Sequence, residues 1–364
     1  MLIGKDSPCR PSIRRVTRAS YGSRMEHHKS VQAVLREFDV PPERAPTLLL
    51  AADTAQSYVE ETRVILHELL DDELCAHLDV IAMGSLARGE VTSASDLDAL
   101  VVMHGVSDHH QEALDQVEWA VREVRGRLAL GESGGTGTFG EVVAAPDLVH
   151  RVGLEADTNT QHTRRLLTLM ESVSLYEPRR HEALLRAIVA RYLDEHDSAA
   201  GTPPRFIIND VLRYWRTMTI DYQAKTWQAD QAKWAARHLK LLSTRKLLVA
   251  GTLSVALTLP EEDTHEALFK AMQEPGLARL ARMARQTADG VAAMTTVVNV
   301  MEEFLAAFDD DEVVGALRGL TDKATAMDNT RFRELSDASK DLHDALVTIV
   351  HKSDEKRSMK YLML

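Results

Sequence analysis

The chain has 364 residues, with 43 Lys or Arg against 55 Asp or Glu, for a net charge of −12. With 45% hydrophobic and 27% charged residues it has the composition of a folded chain, not a disordered or collagen-like one, and about two domains are expected at this length. Two cysteines, Cys9 and Cys75, are too few for a disulfide framework or a cysteine zinc site, and the negative charge argues against non-specific nucleic-acid binding by the whole molecule.

No uncharged apolar run reaches 18 residues; the richest, 247–259, is too short to span a bilayer, so no membrane association is expected. The cysteine usage suits a reducing, cytoplasmic setting. Residues 1–30 hold seven Lys or Arg and two acids, Asp6 and Glu26, without an apolar core for a secretory signal. They read as a disordered basic arm or as an overlong start with Met25 as the initiator, with a transit peptide as the other reading.

Residues 43–78 read as helix from the spacing of Leu48, Leu49, Ala52, Val59, Ile65 and Leu69. A short apolar strand follows over 80–83, then a polar turn, then a second strand over 97–103. Residues 108–129 are helical, 131–137 a glycine-rich loop and 138–144 another strand. Beyond about residue 160 strand signals cease. Helical periods cover 162–174, 179–193, 206–228, 231–252, 264–284, 293–308 and 330–350. The loop 197–204 contains Gly201, Pro203 and Pro204 and reads as a linker. The expected organisation is an α+β unit over 31–196, a mixed sheet flanked by helices, followed by an all-helical unit over 203–364.

The chemistry concentrates in 82–102. Gly84-Ser85 ends the first strand. Glycine lets the backbone approach a ligand, and a helical turn starting there offers free amides and the Ser85 hydroxyl to a phosphate. Eleven residues after Ser85 comes Asp96, with Asp98 two further on. Residues i and i+2 of a strand share a face, so the two carboxylates stand together, while Leu97 and Ala99 face the core. Like charges so placed call for a cation, and hard oxygen donors suit Mg²⁺ bridging to substrate phosphates. Glu141, between Phe139 and Val143 on the alternating face of the next strand, is the candidate third carboxylate of a two-metal site; Asp147, Glu155 and Asp157 are the reserves. No lysine occurs in the turn, so it is not a P-loop.

The pattern Gly84-Ser85-x-Ala87-Arg88-Gly89-Glu90 followed by Ser95-Asp96-x-Asp98 resembles the DNA polymerase beta-like nucleotidyltransferase superfamily, in its bacterial uridylyltransferase-like and putative nucleotidyltransferase branch. The resemblance is firm over 79–103 and looser to about 175. It implies a nucleoside triphosphate substrate and two Mg²⁺ ions, with Mn²⁺ as the alternative. A hydroxyl-type acceptor (protein, RNA end or small molecule) attacks the α-phosphorus and pyrophosphate leaves. Asp96, Asp98 and Glu141 would hold the metals, Gly84 and Ser85 the phosphates, and Arg88 the triphosphate or leaving group.

Further along, Arg164 and Arg165 fall near the start of a helix, where positive charge opposes the dipole unless an anion is close. With Asn159 they are candidate nucleotide ligands; the alternative is a helix start capped by Asp157 or Thr158. Residues 205–246 hold nine Lys or Arg against three acids, and Asn209, Arg213 and Arg216 recur at helical spacing. Arg213 and Arg216 are candidates for closing over the triphosphate or binding an acidic acceptor such as RNA. The alternative is a solvated, charge-laced helix. Of the fifteen histidines, His27-His28 and His109-His110 read as exposed loops and none makes a zinc motif. An antibiotic-modifying transferase and a non-catalytic nucleotide sensor remain rival readings. The residues leave the base, the acceptor and the oligomeric state open.

Overall fold

The computed structural model describes residues 27–132, 142–197, 201–225, 227 and 233–362. Glu141 therefore lies outside the described residues, as do 1–26 of the expected basic arm. Helix α1 (His27–Glu37) begins within the segment read as that arm. His27 is not in an exposed loop: it is 4% exposed, and its Nε2 donates to Ala87 O at 2.8 Å.

Helix α2 (Pro46–Leu69) leads through a short turn into strand β1 (Leu78–Met83), every residue of which is buried. The short helix α3 (Gly84–Arg88) follows, then strand β2 (Asp96–Met103), helix α4 (His110–Leu128) and the two-residue strand β3 (Gly131–Glu132). After it come β4 (Val142–Ala144), α5 (Ala145–His150), α6 (Asn159–Met170), β5 (Ser172–Ser174) and α7 (Pro178–Leu193). The sheet is mixed. β1 runs antiparallel to both β2 and β5, while β3 and β4 lie parallel to β2, β3 beside Asp96 and β4 beside its far end.

The helical expectation over 162–174 is corrected here. Helix α6 stops at Met170, and the next residues extend β1's free edge, with Met83 opposite Ser172 and Ile81 opposite Ser174. Pairing with a strand 90 residues away overrides a local pattern that continues the helical period.

The sheet separates two cores. Val80, Ala82, Leu97 and Ala99 belong with Val59 and Leu66 of α2 and Val117 and Val124 of α4. Ile81, Met83, Leu100 and Val102 join a larger core with Leu166, Ile188 and the C-terminal helices. Leu97 and Leu100, at 1% and 0% exposure, each contribute about 1.5–3 kcal/mol by leaving water.

Among its described residues the C-terminal region contains helices and their connections and no strand: α8 (Arg205–Lys225), α9 (Trp234–Lys240), a π-helical turn (Leu241–Arg245) and α10 (Lys246–Leu257). Then follow α11 (Thr264–Met272), α12 (Gly276–Ala284), α13 (Ala288–Asp309), α14 (Asp311–Arg318), α15 (Lys323–Asp328), α16 (Thr330–Val350) and α17 (Glu355–Leu362). Two periods read as single helices are divided: 231–252 by the π turn, and 264–284 at Pro275, which has no amide hydrogen to continue a helix. By length and hydropathy α13 meets the requirement for a membrane span. In this fold Met294, Val297, Val298 and Met301 bury one side of it against the other helices.

The two regions are clasped together. Helix α2 starts without a side-chain cap of its own. Its Thr47 and Leu48 amides instead donate to the Glu302 carboxylate of α13, at 3.0 and 2.8 Å. Close by, Ser93 donates its amide to Asp309 Oδ1 at 2.9 Å and its hydroxyl to Asp311 Oδ1 at 3.0 Å.

Candidate active site

Strand β1 ends at buried Met83, and the chain turns at Gly84 with φ +70°, the left-handed region that favours glycine. The register sets Met83 opposite Asp98. A β-carbon at position 84 would lie 2.7 Å from Asp98 Oδ2, so the carboxylate fills the space the glycine leaves. Asp96 has the same relationship to the other neighbour of β2: it pairs with Gly131, whose missing β-carbon makes room for Asp96 Oδ1. Exposure alternates along β2. Leu97 and Ala99 are buried while Asp96 and Asp98 are half-buried, so both carboxylates stand on one face.

Burial pushes the Asp98 carboxyl up to about 6; Arg245 opposes that rise, while Glu171 and Asp96 add to it. Two acids sharing one face in a partly desolvated setting suit a hard divalent cation, which would be held by Asp96 and Asp98. Among the described residues no third His, Cys, Asp or Glu joins them in a metal-ligating group. The expected third member, Glu141, is outside the described residues.

Ser85, half-buried, donates to Ser95 Oγ at 3.1 Å, and Ser95 Oγ in turn accepts the Thr92 amide at 3.0 Å. The loop between α3 and β2 is thereby folded back on itself, which holds the Ser85 hydroxyl at the end of the sheet that carries the two aspartates.

Arg88 leads away from this turn into a buried ion network. Its Nε donates to Glu90 at 2.6 Å and its Nη1 to Glu171. Glu171 also accepts from Arg245 Nη1 at 2.6 Å. Burial by itself raises Glu171, but Arg245 and Arg88 outweigh it and hold the carboxyl below its ordinary range. Glu171 immediately precedes β5, and Arg245 closes the π-helical turn, so the network joins sheet to helical region. Lys240 stands just before that turn, with Nζ 5.2 Å from the Phe308 ring centre. Burial of its ammonium within the surrounding protein lowers its pKa, Arg88 and Arg245 lower it further, and Asp96 and Asp98 oppose the change.

In an α-helix, residues five apart diverge by about 140°. The i→i+5 bonding of a π turn returns them to one side, so Lys240 and Arg245 are both presented to the aspartates. Glu171, Lys240 and Arg245 were not among the expected site residues. Only a fold that brings residues 96–98, 171 and 240–245 together reveals them.

The other expected nucleotide ligands collect elsewhere. Arg165, 1% exposed, forks onto Asp157 with bonds of 3.0 and 3.2 Å and donates to Asp210 Oδ2 at 2.8 Å. Arg213 Nη1 donates to Asp157 Oδ2 at 2.6 Å. Burial raises the Asp157 carboxyl, but its bonds from Arg165, the Gly153 amide and Arg213 hold it down at about 2. The anion that cations at a helix start require is thus Asp157, within the protein. Thr158 caps α6, accepting from the Gln161 amide. Arg164 is buried, while Asn159 and Arg216 are exposed. Of the reserve carboxylates, Asp147 pairs with Arg151 at 2.9 Å and Glu155 is exposed.

A Gly-Ser turn at the end of one strand, facing an Asp-x-Asp pair on the antiparallel neighbour within a mixed sheet, is an arrangement able to hold phosphate oxygens beside a cation. The family comparison assigns the class: residues 63–129, from the second half of α2 through α4, match the nucleotidyltransferase domain of the DNA polymerase beta-like superfamily. The match covers residues 63–129, a minority of the chain, and it supports transferase activity of the general kind that moves a nucleoside monophosphate. No curated protein and no solved structure matches the chain.

Proposed function

We propose that this protein transfers a nucleoside monophosphate to a hydroxyl-type acceptor (protein side chain, RNA end or small molecule) and releases pyrophosphate, with Mg²⁺ held by Asp96 and Asp98. The observation that carries the reading is the double accommodation of the carboxylates, Asp98 against Gly84 and Asp96 against Gly131, beside the Ser85 turn. Bound there, the divalent ion supplies charge stabilisation to the phosphate oxygens. The acceptor hydroxyl gives up its proton to solvent as its oxygen bonds to the α-phosphorus; the bond from that phosphorus to the oxygen bridging to the β-phosphate breaks, and its electron pair leaves with pyrophosphate.

Each residue then has a task of its own. Asp96 and Asp98 supply the anionic donors, and Ser85 offers its hydroxyl to the polyphosphate. Lys240 and Arg245 bring positive charge from the helical side to a substrate that carries several negative charges. Arg88 and Glu171 position Arg245 and do not themselves meet the nucleotide. Arg165 and Arg213 hold α6 to α8 through Asp157 and Asp210.

The test is incubation with each of the four α-labelled nucleoside triphosphates, Mg²⁺ or Mn²⁺, and cell extract. The expected result is label on one acceptor class, stoichiometric pyrophosphate, and loss of both in Asp96→Asn and Asp98→Asn. Mg²⁺-dependent nucleotide binding with no pyrophosphate released under any condition would favour the nucleotide sensor and overturn the assignment.

A further inference from the structure

The five residues of α3 run between two glycines in the left-handed region, Gly84 at φ +70° and Gly89 at φ +71°. At the first, the space of the missing β-carbon is taken by Asp98. At the second it is taken by His27: a β-carbon on residue 89 would lie 2.8 Å from His27 Cδ2 and 3.0 Å from its Cβ. The imidazole is thus seated on the far end of the helix whose near end carries Ser85.

A hydrogen bond fixes the ring there. His27 Nε2 lies 2.8 Å from Ala87 O, and a carbonyl only accepts, so Nε2 carries the hydrogen. Ala87 O is one of the carbonyls that a helix end leaves without an intrahelical partner. His27 is 4% exposed, and burial lowers its pKa to about 4, so the imidazole is neutral at pH 7.

A helix as short as α3 does not hold by its own bonding and takes its position from its surroundings. Leu86 and Ala87 are buried, and Arg88 is tied to Glu90 and Glu171. His27 adds an anchor from α1, 60 residues before Ala87 in the chain. Ser85 and Ala87 lie within one helical turn, so the Ser85 hydroxyl moves with the carbonyl that His27 holds. His27 lies outside the residues 63–129 that match the nucleotidyltransferase domain, so the match gives it no role.

We propose that His27 is a positioning residue for nucleotidyl transfer: by holding the C-terminal end of α3 it keeps the Ser85 hydroxyl aimed at the polyphosphate of the substrate. The inference rests on the reading of Ser85 as a phosphate ligand. His27 acts through α3 and not by touching the nucleotide.

The full-length protein is titrated by calorimetry, in Mg²⁺, with each of the four nucleoside triphosphates and with the monophosphate of the one that binds. His27→Leu keeps an apolar side chain and removes the donor. It is expected to weaken triphosphate binding at least about tenfold, the effect of losing one charge-assisted hydrogen bond, while monophosphate affinity stays within about twofold. His27→Gln, whose amide nitrogen reaches where Nε2 does, is expected to bind the triphosphate within about threefold of the wild type. His27→Asn carries the same amide one methylene short and is expected to behave as His27→Leu, so the comparison stands even where the leucine variant does not fold. Adding His27→Leu to Ser85→Ala is expected to weaken binding by less than about a further twofold, because two changes that act through one contact do not add.

A histidine with only a structural role would lower the melting temperature and leave the ratio of triphosphate to monophosphate affinity where it is. That unchanged ratio in both His27→Leu and His27→Asn, or losses that add in the double variant, would overturn the inference and leave Ser85 as a phosphate ligand. No triphosphate binding by the wild type, or undiminished binding in Ser85→Ala, would overturn the reading of Ser85 and the inference with it.

Discussion

The Asp98 carboxylate stands where a β-carbon on residue 84 would have to go, its Oδ2 2.7 Å from that position. The strand end and the acid are therefore shaped as one unit. Gly84→Ala meets two obstacles: a left-handed φ that costs about 1–2 kcal/mol for an L-residue, and the Asp98 side chain itself. Turnover is expected to fall at least about 100-fold, in keeping with misplacement of a reacting group. Steady-state rates beside a circular-dichroism spectrum would check this; unaltered turnover in a folded Gly84→Ala protein would contradict the site.

Lys240 tests the contribution of the helical region. The residue as a whole is exposed while its ammonium is enclosed by the site, so Lys240→Gln is expected to move the melting temperature by no more than about 2–4 °C. Its loss should raise KM for the nucleoside triphosphate about tenfold, the worth of one charged contact. Nucleotide titration at two ionic strengths separates this contact from general attraction, because a close ion pair in a cleft is screened less than an exposed one.

Glu171 tests the ion network. It is the shared acceptor of Arg88 and Arg245, and Glu171→Gln removes the one negative charge between them. Breaking a buried network by deleting one partner is expected to cost about 3 kcal/mol, read as a lower midpoint in urea. A change within error would show that Glu90 alone balances Arg88.

Asp79 gives a pH dependence separate from catalysis. It is fully buried on β1, and its Oδ1 accepts from Ser174 Oγ at 2.9 Å and from the Glu177 amide at 2.8 Å, while Oδ2 has no partner. Burial raises it from 3.8 to about 7 despite those bonds. A raised carboxyl is most favourable to the fold while protonated. Its contribution is complete below pH 3.8 and is lost as pH rises through about 7. Asp79→Asn is expected to be neutral or slightly destabilising at pH 4 and to gain on the wild type up to pH 8, by roughly 2–4 kcal/mol. Urea midpoints at four pH values would show the diverging curves; parallel curves would refute the shift.

What could be read from the sequence follows from the range of the forces involved. β1 and β2 were legible because their apolar residues and punctuating turns are local, and Asp96 and Asp98 because alternation on a strand is fixed by the backbone. β5 was hidden: Ser172-Val173-Ser174 is three residues long and becomes a strand only by meeting β1. Arg165 and Arg213 were visible as misplaced charge near a helix start, but the partner that resolves it, Asp157, is identified only by the packing of α6 against α8. Lys240 and Arg245 belonged to a recognised basic stretch, yet their shared direction depends on a π turn for which no short sequence pattern is diagnostic.

The carboxylate of Glu302 completes the first turn of α2 from a distance of 255 residues. On the ribosome, α2 emerges long before its cap exists. Until Glu302 has been made, the Thr47 and Leu48 amides have only water to bond, so this end of α2 gains its capping energy, about 1 kcal/mol, only once α13 docks.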